Sequence, residues 1–403
     1  MFRNNWKMLG DVILNLIAAA IPIVILQFVV YPSIATQIDA DEYGLMIAIY
    51  SLLCMVSFSL GNAINNTRLV KWEMYEAKMI IGDYNIIVMI FGTINILLVG
   101  IGVVYYYGNP NLLSIVLVVT ASICFFLVEY LEVTFRIELN YKKILINKVC
   151  LTIGYLAGLC IFYKTFQWEW VFLLGQAGSL VYILINSKLL KESFKQTFFF
   201  KSTFRDVVLL LSASLLGNLM SYSDKLILYP LLGGKMVTIY YIATLVGKTI
   251  SMAIAPITSV MLSYLSHMKN IKIKKMAIIF VIGAVISVVG YFLCLFITKP
   301  ILLFIYPEWG NEAMVYVPIT TLAVIISAFS SIINPFALKF CSMYWQTIIS
   351  VISVICYFGC SLLLLHYFGL IGFCWGTVIG SLVRGVLLLF ITVKPMLRRK
   401  YDA

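Results

Sequence analysis

The sequence predicts an all-α, polytopic membrane protein of about twelve spans, and three observations carry that prediction. First, 62% of the 403 residues are hydrophobic and 11% are charged, whereas soluble domains carry roughly 25% charged residues. A bilayer is the solvent that accommodates this excess of apolar side chain. Second, the apolar residues come in runs of about the 17–25 residues needed to cross a hydrocarbon core. Third, the basic residues are concentrated in every second connection between those runs, as membrane insertion requires.

The runs lie near 11–35, 44–66, 86–107, 112–134, 149–163, 170–187, 206–232, 236–266, 276–298, 313–336, 347–365 and 369–393. The first follows Arg3 and Lys7. It exceeds the roughly 7–15-residue apolar stretch of a signal peptide and reads as an uncleaved span. The fifth is short. The eighth is long and contains Pro256, which predicts a kink or a tilt.

One set of connections, at 1–10, 67–85, 135–148, 188–205, 267–275, 337–346 and 394–400, holds 23 of the 29 Lys and Arg residues. The other set holds Lys164, Lys235 and Lys299 beside Asp39, Asp41, Glu42, Glu169, Glu308 and Glu312. Lys and Arg are retained in the cytoplasm during insertion, so both chain ends are expected inside. The formal net charge of +12 then reports topology, not nucleic-acid binding. Nine Cys are scattered through apolar segments without a CxxC pair. They read as packing residues, and nothing in the pattern calls for a disulfide framework, a metal or a cofactor.

Corresponding loops recur at an offset of about 200 residues, which predicts two six-span lobes, 1–200 and 201–403. Six is even, so both lobes enter the membrane in the same orientation, the parallel type of transporter repeat.

Six ionisable residues remain inside spans: Glu129, Glu132, Asp224, Lys225, Lys248 and Arg384. A charge at the bilayer centre costs about 2.5–3.5 kcal/mol on insertion scales, so each calls for a partner or a wet cavity. Glu132 and Arg136 are four apart and could pair at a helix end; Glu129 and Glu132 are otherwise candidates for ion coupling. In span seven, Ser214, Asn218, Ser221, Tyr222 and Lys225 form one polar stripe, from which the adjacent Asp224 points away. Span eight repeats the stripe with Tyr241, Thr244, Lys248 and Ser251. Span two offers Ser59, Asn62 and Asn66, with Arg68 expected just beyond its inner end. Interhelical hydrogen bonding accounts for single residues of this kind; three stripes, two with a Lys, fit a substrate cavity better. Gly376 and Gly380 have the spacing of a close helix contact, and Arg384 beyond them can snorkel towards the inner surface.

Four stretches resemble a known family. Asp41-Glu42-Tyr43-Gly44 opens span two, and Ser223-Asp224-Lys225 lies in span seven. Tyr240-Tyr241-Ile242-Ala243 opens span eight, and Leu303 to Ala313, with Tyr306, Gly310 and Asn311, precedes span ten. They resemble the bacterial polysaccharide transporters of the multidrug/oligosaccharidyl-lipid/polysaccharide exporter superfamily, above all the Wzx-type O-antigen and capsule repeat-unit flippases. The resemblance implies two six-helix lobes around a V-shaped central cavity. It implies flipping of undecaprenyl-diphosphate-linked oligosaccharide across the bacterial cytoplasmic membrane, with Lys225 and Lys248 facing the cavity. The driving force stays open between an inside-negative membrane potential, which favours outward movement of an anionic head group, and coupling to H+ or Na+ through Asp224, Glu129 or Glu132; a polymerase and chain-length proteins are candidate partners.

Two other classes compete. A drug or cation exporter of the same superfamily would favour acidic and aromatic cavity residues, whereas the deepest charge here is Lys248. A membrane enzyme such as a polysaccharide polymerase would carry a long outer loop with basic catalytic residues. The longest outer loop here, roughly 299–312, is short, and the two His, His267 and His366, fall at span ends. No nucleophile–base pair can be assembled.

Overall fold

The computed structural model describes residues 2–79, 82–252, 258, 261, 273–340 and 343–401. Every described element is helical. Helix α1 (Phe2–Ile25) continues through a π-turn (Leu26–Val30) into Tyr31–Ala35, where Pro32 stands in the first turn. Next come α2 (Ala40–Ala77), α3 (Asp83–Tyr107), α4 (Leu112–Leu131, continued by Val133–Ile137), α5 (Tyr141–Thr165), α6 (Glu169–Asn186) and α7 (Phe200–Leu232). These are followed by α8 (Gly234–Met252), α9 (Ile273–Ile305) and α10 (Val317–Phe340). A last helical run, Met343–Tyr401, is broken at Gly369, where φ is 61° and ψ −143°. That break turns one run into two spans, α11 (343–368) and α12 (370–401). Among the described residues nine helices are long and apolar enough to cross a membrane, and α7 makes a tenth when its two bent parts count as one. With the break at Gly369 and with α8, helices stand at all twelve places where the sequence puts a span. Pro256, His267, Lys269 and Lys272 lie outside the described residues.

The chain divides into two compact units, Met1–Val237 and Thr238–Ala403. In the first, α2 is the central helix, packed against α3, α4 and α7, while α5 packs on α6 and α1. Its start explains an otherwise arbitrary motif. Asp39 caps it by accepting from the Glu42 N–H at 2.8 Å, and Asp41 and Glu42 occupy the first turn, where acidic side chains complement the helix dipole. Asp41 also accepts from the Lys235 N–H at 2.9 Å. A Cβ on Gly44 would lie 2.0 Å from the Gly234 carbonyl oxygen, so only glycine lets α2 meet the turn between α7 and α8. In the second unit, α9 packs on α10, and α10 on the α11–α12 pair. Met276, Phe280, Ile333, Phe336, Ile349 and Leu388 form a buried cluster there. Gly376 and Gly380 lie where a Cβ would come within 2.3 Å of Ser361 and 2.8 Å of Tyr357, the close α11–α12 contact that their spacing predicts. Along α9, Val281, Val285, Val288, Val289, Phe292 and Phe296 are all more than half exposed, the surface of a helix solvated by lipid.

Three expectations change. The fifth span is not short: α5 is capped by Asn140, whose side chain accepts from the Lys143 N–H at 3.3 Å, and it runs 25 residues from Tyr141. Arg68 is not beyond span two, because α2 is 38 residues long. At 1.5 Å per residue it rises about 57 Å, well over the ~30 Å hydrocarbon core, and its last turns carry Arg68 and Lys71. Lys148 is inside α5, not in a loop.

Candidate functional site

The polar stripes of spans two and seven meet in the first unit. Asn218 on α7 donates to the Ser59 hydroxyl on α2 at 2.7 Å. Below it on α2, the Asn66 amide donates to Asn62 at 3.0 Å. Lys225 is 6% exposed; its ammonium donates to the Asp224 carboxylate at 3.0 Å and to the Ser221 carbonyl at 3.4 Å, and lies 5.8 Å from the Tyr222 ring centre. Asp224 therefore does pair with its neighbour, contrary to the expectation that adjacent helical residues diverge. The four-carbon Lys stem curls back along the helix, which a shorter side chain could not do.

A second constellation joins α2, α4 and α5. Arg136 donates to Asn65 at 2.6 Å and to Asn66 at 3.0 Å, and the Asn65 amide donates to the Glu129 carbonyl at 2.7 Å. Glu132 does not pair with Arg136: it accepts from Lys148 at 2.6 Å. The backbone keeps the i, i+4 spacing, with the Arg136 N–H on the Glu132 carbonyl at 3.4 Å, but Arg136 is turned to Asn65 and Asn66 on α2 and Lys148 reaches Glu132 from α5. Both members of the Lys148–Glu132 pair are about 85% buried, with relative exposures of 16% and 15%. Glu129 lies close by, within electrostatic reach of Lys148; among the described residues its carboxylate makes no ion pair within 4 Å.

Arg68 belongs to a third group. It donates to the Tyr130 hydroxyl at 2.7 Å, pairs with Glu192, and stacks on the Tyr84 ring at 4.7 Å. In the second unit, Lys248 is half-buried on α8 with its ammonium 5.8 Å from the Tyr240 ring centre. The neighbouring hydroxyls turn inward on their own helix: Thr244 donates to the Tyr241 carbonyl at 3.0 Å and Ser251 to the Lys248 carbonyl at 2.8 Å. The Tyr241 ring is buried. Arg384, on α12, is half-buried and has no ion pair among the described residues. Among those residues no cluster of His, Cys, Asp and Glu could hold a metal ion.

Neither a protein-family model nor a curated protein sequence matches the chain. Solved structures do. The lipid II flippase MurJ in an inward closed conformation superposes with a TM-score of 0.71 at 13% identity, over 96% of this chain and 90% of that one. An inward-facing multidrug resistance MATE transporter of the MOP superfamily gives 0.63 at 13% identity, over 96% and 99%. An outward-facing MATE transporter of that superfamily gives 0.59 at 12% identity, over 96% and 95%. The chain has the fold that these solved transporters share. At these identities the likeness speaks for the fold alone, so the roles of individual residues must be argued from their own surroundings.

Sequence reasoning missed Asn65, Tyr130, Lys148 and Glu192. The Asn65-Asn66 doublet could have flagged the first, since either Asn can face Arg136. Lys148 could have been found from the Asn140 cap, which places it two turns into α5. Tyr130 and Glu192 join Arg68 across 62 and 124 residues of sequence, and no local signal points to such contacts.

Proposed function

We propose that the protein is a flippase of the bacterial cytoplasmic membrane, with both ends inside, that moves oligosaccharides carried on a polyprenyl diphosphate. The observation that carries this reading is Lys248, a cation within a span of a chain that shares its fold with a lipid-linked precursor flippase. Lys248 lies about 18 Å into its span, near mid-membrane. An ammonium at that depth is costly in lipid, and a diphosphate is a head group of opposite charge that a Lys can hold. Lys225 contributes less charge, because Asp224 neutralises it. Asn218, Tyr222, Tyr241, Asn62 and Asn66 offer amides and hydroxyls to sugar, and Arg384 extends the cationic character of the second unit. The polyprenyl tail stays in lipid, and alternating access exposes the sheltered head group to each side in turn. Coupling to H+ or Na+ falls to Glu129, since Asp224 and Glu132 are each held by a Lys. Assembly with a polymerase and chain-length proteins belongs to the same reading.

The test is a deletion strain complemented by Lys248→Ala. The expected result is a normal level of inserted protein, loss of surface polysaccharide, and lipid-linked precursor trapped on the cytoplasmic leaflet, with partial function for Lys248→Arg. Wild-type export by a well-expressed Lys248→Ala protein would return Lys248 to a packing role. A second reading, a cation-coupled drug exporter, draws on the MATE likeness and the Glu129–Glu132 carboxylates. Drug efflux by cells making the protein, with no change in precursor, would establish it instead.

A further inference from the structure

A cavity of about 310 Å³ opens beside the C-terminal turns of α2, within the first unit, and the flippase reading gives it no role. Arg68, Trp72, Tyr75, Glu76, Tyr84 and Glu192 line it. Its volume is at the lower end of the roughly 300–1,000 Å³ of small-molecule sites. Arg68 is 4% exposed and Tyr84 3%. The two Arg68 Nη atoms are engaged by Tyr130 and Glu192. Its Nε–H, however, is buried with no hydrogen-bond partner among the described residues, as is the Tyr84 hydroxyl. Buried donors are rarely left unpaired, because burial strips away the water that would satisfy them.

The lining sets the chemistry of what could pair with them. It holds one guanidinium against two carboxylates, so a phosphate or an acid would enter surroundings already biased against negative charge. Its walls are an indole and two phenols, flat surfaces for an apolar ring face. A hydroxyl both accepts and donates, which suits a lining that offers a guanidinium N–H and carboxylates together. A ring with apolar C–H faces and a rim of neutral hydroxyls meets all three conditions.

We propose that this cavity is a binding site for the pyranose ring of a neutral saccharide. The ring comes either from a transported glycan or from a soluble cytoplasmic sugar; the site is argued from its own lining and stands without the flippase reading. The experiment is titration of the full-length protein in lipid nanodiscs with glucose, galactose and N-acetylglucosamine, read by saturation-transfer NMR and calorimetry. At least one sugar should bind. Arg68→Gln should weaken it about tenfold or more, the worth of one charge-assisted hydrogen bond. Trp72→Ala, at a half-buried position that leaves the Arg68 network in place, should weaken it comparably, and Trp375→Ala in the second unit should not. Inorganic phosphate and glucuronate should fail to compete. Absence of binding by all three sugars, unchanged affinity in Trp72→Ala, or displacement by phosphate would each overturn the proposal. Loss of sugar binding in Trp72→Ala with flipping intact assigns the site to a soluble sugar, and loss of both assigns it to the cargo. Sugar binding that depends on Trp72 in a protein that flips nothing leaves the pocket standing and removes the flippase reading.

Discussion

Lys148→Met removes the cationic half of the most enclosed ion pair between α4 and α5. The pair is 2.6 Å long with both side chains about 85% buried. Breaking such a pair by deleting one partner costs about 3–5 kcal/mol, because the other charge stays buried without compensation. Here the residual charge is worse than usual, since Glu129 shares the same Lys148 electrostatically. For a unit of the size of Met1–Val237, each kcal/mol moves Tm by about 2–4 °C, so Lys148→Met should melt roughly 6–20 °C below wild type. Glu132→Gln should be milder, because Lys148 can then turn to Glu129. In the double variant both charges of the pair are gone, and much of the lost stability should return. The assay is thermal unfolding of the purified proteins in one detergent, followed by intrinsic fluorescence and by size-exclusion of the heated samples. The reasoning fails if Lys148→Met melts within about 2 °C of wild type, or if the double variant is no more stable than Lys148→Met alone.

Three further outcomes are expected. Gly44→Ala forces a methyl to within 2.0 Å of the Gly234 carbonyl oxygen and should lower folded yield, an overpacking cost of about 1–3 kcal/mol; Gly100→Ala, with nothing within 4 Å, should be neutral or slightly stabilising by the same measurement. Glu129→Gln should leave the protein level unchanged and flatten the pH dependence of transport, so a normal level with a normal pH profile would remove Glu129 from coupling. Reporter fusions at Lys195 and Lys272 should read as cytoplasmic, and fusions near Asp41 and Glu308 as external; a cytoplasmic signal at Glu308 would break the twelve-span topology.

The membrane character and the place of each span were legible because hydropathy is a local property, summed over about twenty residues. The polar stripes were legible for a similar reason, since 3.6-residue periodicity fixes which side chains share a face. The Asn218–Ser59 contact between two of those stripes was not among the expectations, which gave the stripes to a cavity. Pairings set by side-chain reach or by a competing partner on another helix were not legible. Lys225 finds Asp224 by bending its stem back along α7, and Glu132 misses Arg136 because Lys148 of α5 takes the carboxylate while Asn65 and Asn66 of α2 take the guanidinium. The length of α2 was misjudged because hydropathy sees only its membrane-embedded part. Its polar last turns continue as helix beyond the apolar run; of them, Arg68 and Tyr75 are buried, Arg68 held by Glu192 and Tyr75 donating to Asp83 of α3. The Asp41–Gly44 motif was recognised by likeness, and the structure supplies its cause in the contact with Gly234.

The pairings also redistribute the charges that stand inside the membrane. Of the six ionisable residues assigned to spans, Asp224 and Lys225 cancel, and Glu132 is matched by Lys148 from α5. What remains in the first unit is a carboxylate, Glu129, while both membrane charges of the second unit, Lys248 and Arg384, are cationic. A carboxylate suits H+ or Na+, and cations suit a diphosphate. Under the flippase proposal, coupling and cargo recognition would then fall to different units, and a variant of one should leave the chemistry of the other intact. Glu129→Gln should change how transport responds to pH without changing which anionic head groups are accepted. Lys248→Ala should remove the cargo without abolishing a cation-dependent change of conformation. The latter can be measured with a fluorophore pair, one label on each unit, in nanodiscs over a pH or Na+ series. A response to cations lost in Lys248→Ala and kept in Glu129→Gln would show the opposite assignment, with the coupling ion bound beside the lysine.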